Sequence, residues 1–235
     1  MIGKKTSPSD LPCIVFDCNE TLLDLGTMTP IFQRLFGDRS AMRLWFQALI
    51  TYSQALTVTG HYEAFTDIAG AVLQMIADAR RVTLTAGDRE ELTDKFATMP
   101  PYPDVPTGLR TLKNAGFRLF TLTDNTAEIS GRQLRSGGIL EYFERRFSVD
   151  DESHRHKPAP EAYEAVSRAL QIPASRFWLV ACHTWDTMGA AAVGWESALI
   201  RRVDNDVLDV AAQPQIVGQD LNDVANQLVS RYTAQ

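Results

Sequence analysis

The chain has 235 residues, 45% of them hydrophobic and 22% charged, with a formal net charge of −6. This length is sufficient for one large core and a smaller module that covers it, and the composition excludes a disordered or fibrous protein. The acidic balance gives no clustered Lys and Arg surface of the kind that nucleic acids and anionic membranes require, so we exclude those partners.

The N-terminal segment, MIGKKTSPSDLP, is polar and is followed by an apolar run too short for the core of a signal peptide. No apolar run approaches the length that spans a membrane. The three cysteines, Cys13, Cys18 and Cys182, lack zinc-type spacing and are too few for a disulfide framework. We therefore expect a cytoplasmic protein without a structural metal.

The first predicted element is the apolar run CIVF, which ends at a polar cluster that begins with Asp17. This pattern predicts a buried parallel strand with Asp17 at its carboxyl end. Residues 26–99 then contain no convincing strand. Their apolar residues recur at helical spacing: Leu44, Phe46, Leu49, Ile50, Ile68, Val72, Leu73 and Ile76. We interpret this stretch as a helical cap inserted after the first strand, the alternative being additional scaffold.

Helices and strands alternate after the Pro-rich sequence PPYPDVP. The patterns predict helices over 107–115 and 160–170 and from residue 187, with strands over 118–123, 177–181, 197–200 and 216–217. This alternation is typical of an α/β fold with a doubly wound, mainly parallel, Rossmann-like sheet. The predicted core comprises residues 1–25 and 100–235, and the predicted cap comprises residues 26–99.

Polar clusters follow three of the predicted strands. They are DCNET at 17–21, TDN at 123–125 and CHTWD at 182–186, and HKP at 156–158 opens a helix between the second and the third. Ligands of an open parallel sheet bind outside the carboxyl ends of its strands. The sequence therefore places two carboxylates, a hydroxyl and an ammonium in one crevice.

Four segments in this order, FDCNETLLD, LTDNT, HKPAPEAY and VACHTWD, resemble the four motifs of the haloacid dehalogenase superfamily. The resemblance extends from about residue 11 to about residue 218. It implies that Asp17 is a covalent nucleophile supported by Thr21, and that Thr123 contacts an oxyanion or a carboxylate. It further implies that Lys157 neutralises charge and that Asp186 is an acidic partner in the site.

Asn19 distinguishes between two reactions found in this superfamily. Its phosphatases carry at this position an Asp that protonates the departing alkoxide. An Asn amide cannot act as a general acid. Halide departs as an anion without a proton, so Asn19 is compatible with cleavage of a carbon–halogen bond.

The fourth motif predicts a site without magnesium. Asp186 is its only acidic residue, and the sulfur of Cys182, four residues earlier, is a poor ligand for so hard an ion. Lys157 then becomes the main local positive charge, which holds Asp17 ionised and attracts a carboxylate substrate. We expect no cofactor, and magnesium only if the chain is a phosphatase.

The sequence CHTWD, together with Tyr163, resembles the L-2-haloacid dehalogenase branch. This branch implies attack of Asp17 on the carbon that bears the halogen, giving an ester that water hydrolyses to a 2-hydroxy acid. Asp186 holds Lys157, and Trp185 forms a wall of the pocket. His183 is either a base that accepts a proton from water or a hydrogen-bonding residue. Tyr163 either packs its helix or contacts the substrate.

Two departures from this branch concern substrate contacts. The first departure is in LWFQ, where Phe46 stands at the position of an arginine that receives the halide in this branch. Arg43 lies one helical turn earlier, and it either reaches the same face of the helix or is a solvated surface residue. Asp124 stands where related dehalogenases have asparagine. Its charge repels a carboxylate substrate unless it is paired, protonated or turned away, and Asn125 is the candidate to take over the contact. The candidate substrate contacts are Cys18, Asn19, Arg43, Phe46, Asp124, Asn125, Tyr163 and Trp185.

The favoured function is a dehalogenase that converts small 2-haloalkanoic acids to 2-hydroxy acids. The alternatives are a magnesium-dependent phosphatase acting on a small phosphate ester, and a non-catalytic protein that keeps the fold. The resemblance also implies a homodimer formed through the cap, which the apolar helices near Trp45 and Ile68 permit.

Overall fold

The computed structural model describes residues 11–202 and 204–233. Residues 1–10 of the N-terminal segment, where the sequence predicts no targeting signal, lie outside the described residues. Among the described helices, none combines the length and apolar character that crossing a membrane requires.

Six strands form one sheet in the described part of the chain: β1 (Cys13–Phe16), β2 (Arg118–Thr123), β3 (Arg145–Ser148), β4 (Phe177–Ala181), β5 (Glu196–Ile200) and β6 (Ile216–Gly218). Their order across the sheet is β3-β2-β1-β4-β5-β6, and all neighbouring pairs are parallel. The strand order reverses at β1, which lies between β2 and β4. The predicted doubly wound α/β fold is confirmed.

Strand β1 shows why a continuous apolar run was required at this position. Its side chains alternate between the two faces of the sheet, with Ile14 and Phe16 in one buried cluster and Cys13 and Val15 in the other. A strand buried on both faces has no solvent side, so polar residues are excluded until the strand ends.

Four helices follow β1: α1 (Thr29–Phe36), α2 (Ala41–Val58), α3 (Phe65–Ala79) and α4 (Ala86–Ala97). No strand of the sheet falls within residues 26–99 in the described part of the chain, as the spacing predicts. The predicted inner face of α3 is correct, because Ile68, Val72, Leu73 and Ile76 are buried. The predicted face of α2 is wrong at one position: Leu44 is 46% exposed, and Trp45 is buried in its place.

The remaining helices alternate with the strands: α5 (Val105–Asn114), α6 (Ala127–Ser136), α7 (Val149–Glu152), α8 (Pro160–Leu170), α9 (Thr184–Ala192) and α10 (Leu221–Thr233). Two differences from the sequence predictions affect the site. Helix α9 begins at Thr184 rather than at residue 187, which places Asp186 in its first turn. Lys157 does not open a helix, since α8 begins three residues later at Pro160.

Candidate active site

The site lies where β1, β2 and β4 end together at the reversal of strand order. Phe16, the last residue of β1, is in register with Thr121 of β2 and Val180 of β4. The backbone N–H of Asp17 donates to the carbonyl of Val180 over 3.1 Å, so the sheet pairing continues to the first residue of the polar cluster. The backbone of Asp17 is therefore fixed by the sheet.

Lys157 lies between two buried carboxylates. Its Nζ is 2.8 Å from Oδ1 of Asp17 and 2.8 Å from Oδ2 of Asp186, and it also donates to the carbonyl of Leu122 over 3.3 Å. All three charged side chains are at least 90% buried. Because a buried charge is costly unless it is paired and hydrogen-bonded, this group is stable only as a set.

The pKa values of this group follow from burial and mutual charge. Burial opposes ionisation of Asp17, but the positive charges of Lys157 and His183 outweigh it and hold the pKa of this carboxyl well below its usual range. Burial likewise opposes the charge of Lys157, yet the two carboxylates raise its pKa well above the usual value. Burial and the charge of Asp17 raise the pKa of Asp186. Asp17 is thus an anion at neutral pH.

Thr21 and Tyr163 orient the two carboxylates. The hydroxyl of Thr21 donates to Oδ2 of Asp17 over 2.6 Å and accepts the backbone N–H of Cys182 over 2.9 Å, so it ties the loop after β1 to the end of β4. The hydroxyl of Tyr163 donates to Oδ1 of Asp186 over 2.5 Å. Tyr163 therefore does more than pack helix α8, because it positions Asp186.

Glu20 is a site residue that the sequence predictions missed. It is buried, and its Oε2 accepts a hydrogen bond from Nε2 of His183 over 2.9 Å. Its other oxygen forms an ion pair with Arg43. Glu20 has a φ of 64°, a left-handed conformation that costs a residue with a Cβ free energy and is concentrated at functional sites. The sequence offered one indication of this role, because Glu20 belongs to the polar cluster DCNET that follows β1.

His183 lies between this ion pair and the nucleophile. Its Nδ1 is 3.8 Å from Oδ2 of Asp17. Burial opposes protonation of the ring, but Cys182 and Asp17 raise its pKa to about 10. The imidazole is consequently a cation when Asp17 is ionised, and it cannot accept a proton in that state.

A cavity of about 320 Å³ leads to His183. Its lining includes Glu20, Arg43, Phe46, His183, Trp185 and Asn205. The ring of Trp185 stacks on His183 with centroids 4.9 Å apart, and the Phe46 ring lies 6.0 Å away on another side. Arg43 is not a solvated surface residue, because its side chain is only 24% exposed and is paired with Glu20.

Asp124 is paired rather than turned toward a substrate. Its Oδ1 accepts a hydrogen bond from Nδ1 of His156 over 3.1 Å and from the backbone N–H of Lys157 over 3.0 Å. His156 also contacts the cap, since its Nε2 donates to the carbonyl of Glu63 and its backbone N–H to Thr57. The expected repulsion of a carboxylate substrate is therefore reduced by a neighbouring cation.

Three other predicted substrate contacts are occupied by partners within the protein. Nδ2 of Asn125 donates to Oδ1 of Asn19 and to Oε1 of Gln133, so both N–H groups of this amide are engaged within the protein. Gln133 donates to the same oxygen of Asn19. The thiol of Cys18 is buried beside Thr121 and Thr123, and burial raises its pKa to about 12. Asn19 is held as an amide acceptor and supplies no acidic proton.

The donor atoms of this site do not suit magnesium. Lys157 already occupies the position between Asp17 and Asp186 where a cation shared by the two carboxylates would bind. The residues that bring potential ligand atoms within 4.8 Å of one another, among those the structure describes, are Asp17, Cys182 and His183. Magnesium requires an octahedral set of oxygen ligands, which a thiol and an imidazole do not provide.

Comparisons with known proteins identify the family and relatives of this chain. The family model of haloacid dehalogenase-like hydrolases matches residues 11–194. The chain is 25% identical over 217 residues to (S)-2-haloacid dehalogenase 2 of Pseudomonas sp. (strain CBS-3), covering 92% of this chain and 94% of the relative. It is 26% identical over 194 residues to haloacetate dehalogenase H-2 of Moraxella sp. (strain B), covering 82% and 86%.

The fold is also similar to solved structures. The L-2-haloacid dehalogenase of Xanthobacter autotrophicus, solved with chloropropionic acid covalently bound, superposes with a TM-score of 0.86. The superposition covers 93% of this chain and 98% of that chain, at 19% sequence identity. At this identity the likeness establishes the shared fold.

Proposed function

The chain belongs to the haloacid dehalogenase-like hydrolase family, and we propose that it is a hydrolytic dehalogenase of small 2-haloalkanoic acids. The names of its relatives support this substrate class. The observation that carries the proposal is the position of Lys157 between Asp17 and Asp186. In addition, the residue two positions after the nucleophile is Asn19, an amide, where a phosphatase would have an acid. In this proposal Lys157 attracts the carboxylate of the haloacid and keeps Asp17 ionised, so that no metal is needed for either task.

The first step forms an ester. A carboxylate oxygen of Asp17 attacks C2 of the haloacid, the new carbon–oxygen bond forms as the carbon–halogen bond breaks, and halide leaves with the bonding pair. No proton is needed, because halide is a weak base. The cations of Lys157 and His183 stabilise the substrate carboxylate and the developing negative charge. Phe46 supplies no charge, so His183 and Arg43 provide the positive potential on that side of the cavity.

The second step returns the nucleophile. Water attacks the ester carbonyl of Asp17, the bond between that carbon and the ester oxygen breaks, and the 2-hydroxy acid leaves. Esterification removes the negative charge of Asp17, which is one of the causes of the raised pKa of His183. We infer that the ring then loses its proton and accepts one from water, while Glu20 holds Nε2. One halide and one proton are released overall.

The helices of residues 26–99 act as the cap in this proposal. Arg43 and Phe46 of α2 reach the cavity, and His156 links α2 and the loop after it to the core. A homodimer through the helices near Trp45 and Ile68 remains part of the proposal, although Trp45 itself is buried. The candidate contact surface on these helices is an apolar groove of about 410 Å³ between α2 and α3, lined in part by Tyr52, Ile68 and Met75.

The three cysteines are free and buried, which supports a reducing compartment such as the cytoplasm.

One assay tests the proposed function against its alternatives. The protein is incubated with L-2-chloropropionate and, separately, with an aryl phosphate, each with and without EDTA, and chloride and phosphate are measured. We expect chloride release that EDTA does not reduce. Release of phosphate that requires magnesium would instead identify a phosphatase, and no turnover of either compound would identify a non-catalytic protein.

A further inference from the structure

His156 joins the cap to the core through both of its ring nitrogens. Nδ1 is 3.1 Å from Oδ1 of Asp124, which follows β2, and Nε2 is 3.0 Å from the backbone carbonyl of Glu63, in the loop between α2 and α3. The ring is fully buried. Neither step of the proposed reaction uses this histidine.

Both partners of the ring can only accept hydrogen bonds. A backbone carbonyl carries no proton, and neither does the carboxylate of an ionised Asp124. Each ring nitrogen must therefore donate, and an imidazole that carries a proton on both nitrogens is a cation. A neutral ring has a single N–H, so it can satisfy one of the two acceptors and turns a lone pair toward the other.

The acidic groups around His156 favour this cation. Burial opposes protonation of the ring, but the hydrogen bond and the charge of Asp124 outweigh it and raise the pKa of His156 above 6.5. The backbone carbonyl of Glu63 and the carboxylate of Asp150, in α7, act in the same direction. The contact with the cap is therefore complete on the acidic side of this titration.

Three further titratable residues surround the ring. Tyr62 stacks on His156 with centroids 5.0 Å apart, and its phenol stays neutral because burial raises its pKa. His154 contacts the edge of the same tyrosine ring, with centroids 4.9 Å apart. The ammonium of Lys157, the next residue, is held by the two carboxylates of the site. Asp124 is thus the acidic side chain that pairs directly with the ring.

Loss of one ring proton releases the contact with the cap rather than the contact with Asp124. A hydrogen bond to a carboxylate is about twice as strong as one to a neutral carbonyl, so a neutral ring keeps its proton on Nδ1. Nε2 then directs a lone pair at the carbonyl oxygen of Glu63, and two acceptors repel each other. Asp124 also accepts the backbone N–H of Lys157 over 3.0 Å, so the contact that is kept belongs to the core.

We propose that His156 is a positioning residue that latches the cap to the loop carrying Lys157, and that this latch opens when the ring loses a proton. Two neighbouring contacts do not depend on the ring proton. The backbone N–H of His156 donates to Oγ1 of Thr57 over 3.0 Å, and the phenol of Tyr62 donates to the core over 2.6 Å. Opening therefore loosens the segment around Glu63 and leaves the end of α2 attached.

The latch is tested on the substrate-free protein, independently of turnover. NMR of isotope-labelled histidine follows the ring of His156, and hydrogen–deuterium exchange follows the amides of residues 59–68, which include the first turn of α3. We expect two ring N–H groups at low pH and one at high pH. Exchange of the segment, corrected for the intrinsic effect of pH, should accelerate over the same interval by about 2- to 10-fold, the equivalent of one hydrogen bond.

Two variants separate a latch from a merely structural role. Asp124→Asn keeps an acceptor oxygen but removes the charge, so the midpoints of the NMR and exchange transitions should both fall by about 1–3 pH units. His156→Phe keeps a ring that can stack on Tyr62 but has no N–H, so exchange of the segment should be fast at every pH.

His61→Gln is the matched control, because His61 is an exposed histidine of the same loop whose ring contacts Thr59. It should leave both transitions at the wild-type midpoint. Circular dichroism establishes that each variant is folded. If His156→Phe did not fold, the midpoints in the wild-type and Asp124→Asn proteins would still decide whether the ring proton controls the segment.

The effect on turnover rests on the proposed function. A loosened cap should raise the KM for L-2-chloropropionate by about 2- to 10-fold above the NMR midpoint, and Asp124→Asn should move this rise to the same lower pH. A single ring N–H at every pH, or exchange that ignores the ring proton, would overturn the latch. An unchanged KM across the transition would overturn its link to the cavity. Absence of all turnover would contradict the proposed function and leave the NMR and exchange results intact.

Discussion

His183 donates a hydrogen bond from Nε2 to Oε2 of Glu20 over 2.9 Å, and both side chains are buried beside the nucleophile. The two residues are 163 positions apart in the sequence, one in the loop after β1 and the other at the end of β4. The pairing fixes which imidazole nitrogen faces Asp17. It therefore determines which nitrogen of His183 can accept a proton during ester hydrolysis.

Replacement of His183 tests its role in the second half of the reaction. In His183→Gln we expect kcat to fall by about 10²- to 10⁴-fold, because general base catalysis of ester hydrolysis is lost. Ester formation should be less affected, so mass spectrometry of the quenched protein should show the intermediate on Asp17. His61→Gln, at an exposed histidine, is the control. An equal loss in both steps, without accumulated ester, would contradict this assignment.

Replacement of Asp17 tests covalent catalysis. Asp17→Asn removes the anionic nucleophile, so chloride release from L-2-chloropropionate should fall below detection. The variant should remain folded by circular dichroism, since Asn is close in size to Asp. A variant that kept most of the wild-type chloride release would show that the reaction does not proceed through an ester at this residue.

Lys157 is expected to determine the acidic limit of activity. In the wild-type protein the pKa of Asp17 lies well below its usual range, so Asp17 stays ionised as the pH falls toward that value. Lys157→Met removes the ammonium but not the burial, so the pKa of Asp17 should rise. The pH at which kcat/KM declines on the acidic side should therefore move upward. An unchanged acidic limb would exclude Lys157 as the group that keeps Asp17 ionised.

Tyr163→Phe removes one hydrogen bond to Asp186 with little change in volume. A hydrogen bond to a charged group contributes about 1.5–3 kcal/mol, so the free energy of unfolding measured with urea should fall by about this amount. Because Tyr163 acts through Asp186, we expect kcat to fall while KM is nearly unchanged. A marked increase in KM would indicate direct contact between Tyr163 and the substrate.

His156 should make stability depend on pH. Burial opposes its protonation, but the hydrogen bond and charge of Asp124 raise its pKa above the ordinary value of 6.5. The protonated ring therefore stabilises the folded state fully below about pH 6.5, and this contribution is lost as the pH rises through the raised pKa. Measured Tm should decline over this range in the wild-type protein and less so in His156→Gln. The same pH profile in both proteins would exclude this ion pair.

The sequence by itself determined the architecture and the central residues of the site. Strands β2 and β4 and helix α8 have the predicted bounds, and the helical stretch after β1 was identified. These features depend on local apolar runs and on the spacing of apolar residues along the chain, both of which can be read directly from the sequence. Because strand ends of a parallel sheet meet at one edge, Asp17, Lys157 and Asp186 could be grouped before their distances were known.

Only the tertiary structure decided which strands and which charged side chains pair with one another. Strand β3, with the sequence RRFS, lacks an apolar run because it lies at the edge of the sheet, and its pairing with β2 identifies it. The pairing of Asp124 with His156 and that of Glu20 with His183 each joins separate elements. Charge pairing depends on distance in space, and residue order carries no direct record of it. The sequence thus identified which charged groups are present, while the fold decided which of them form ion pairs.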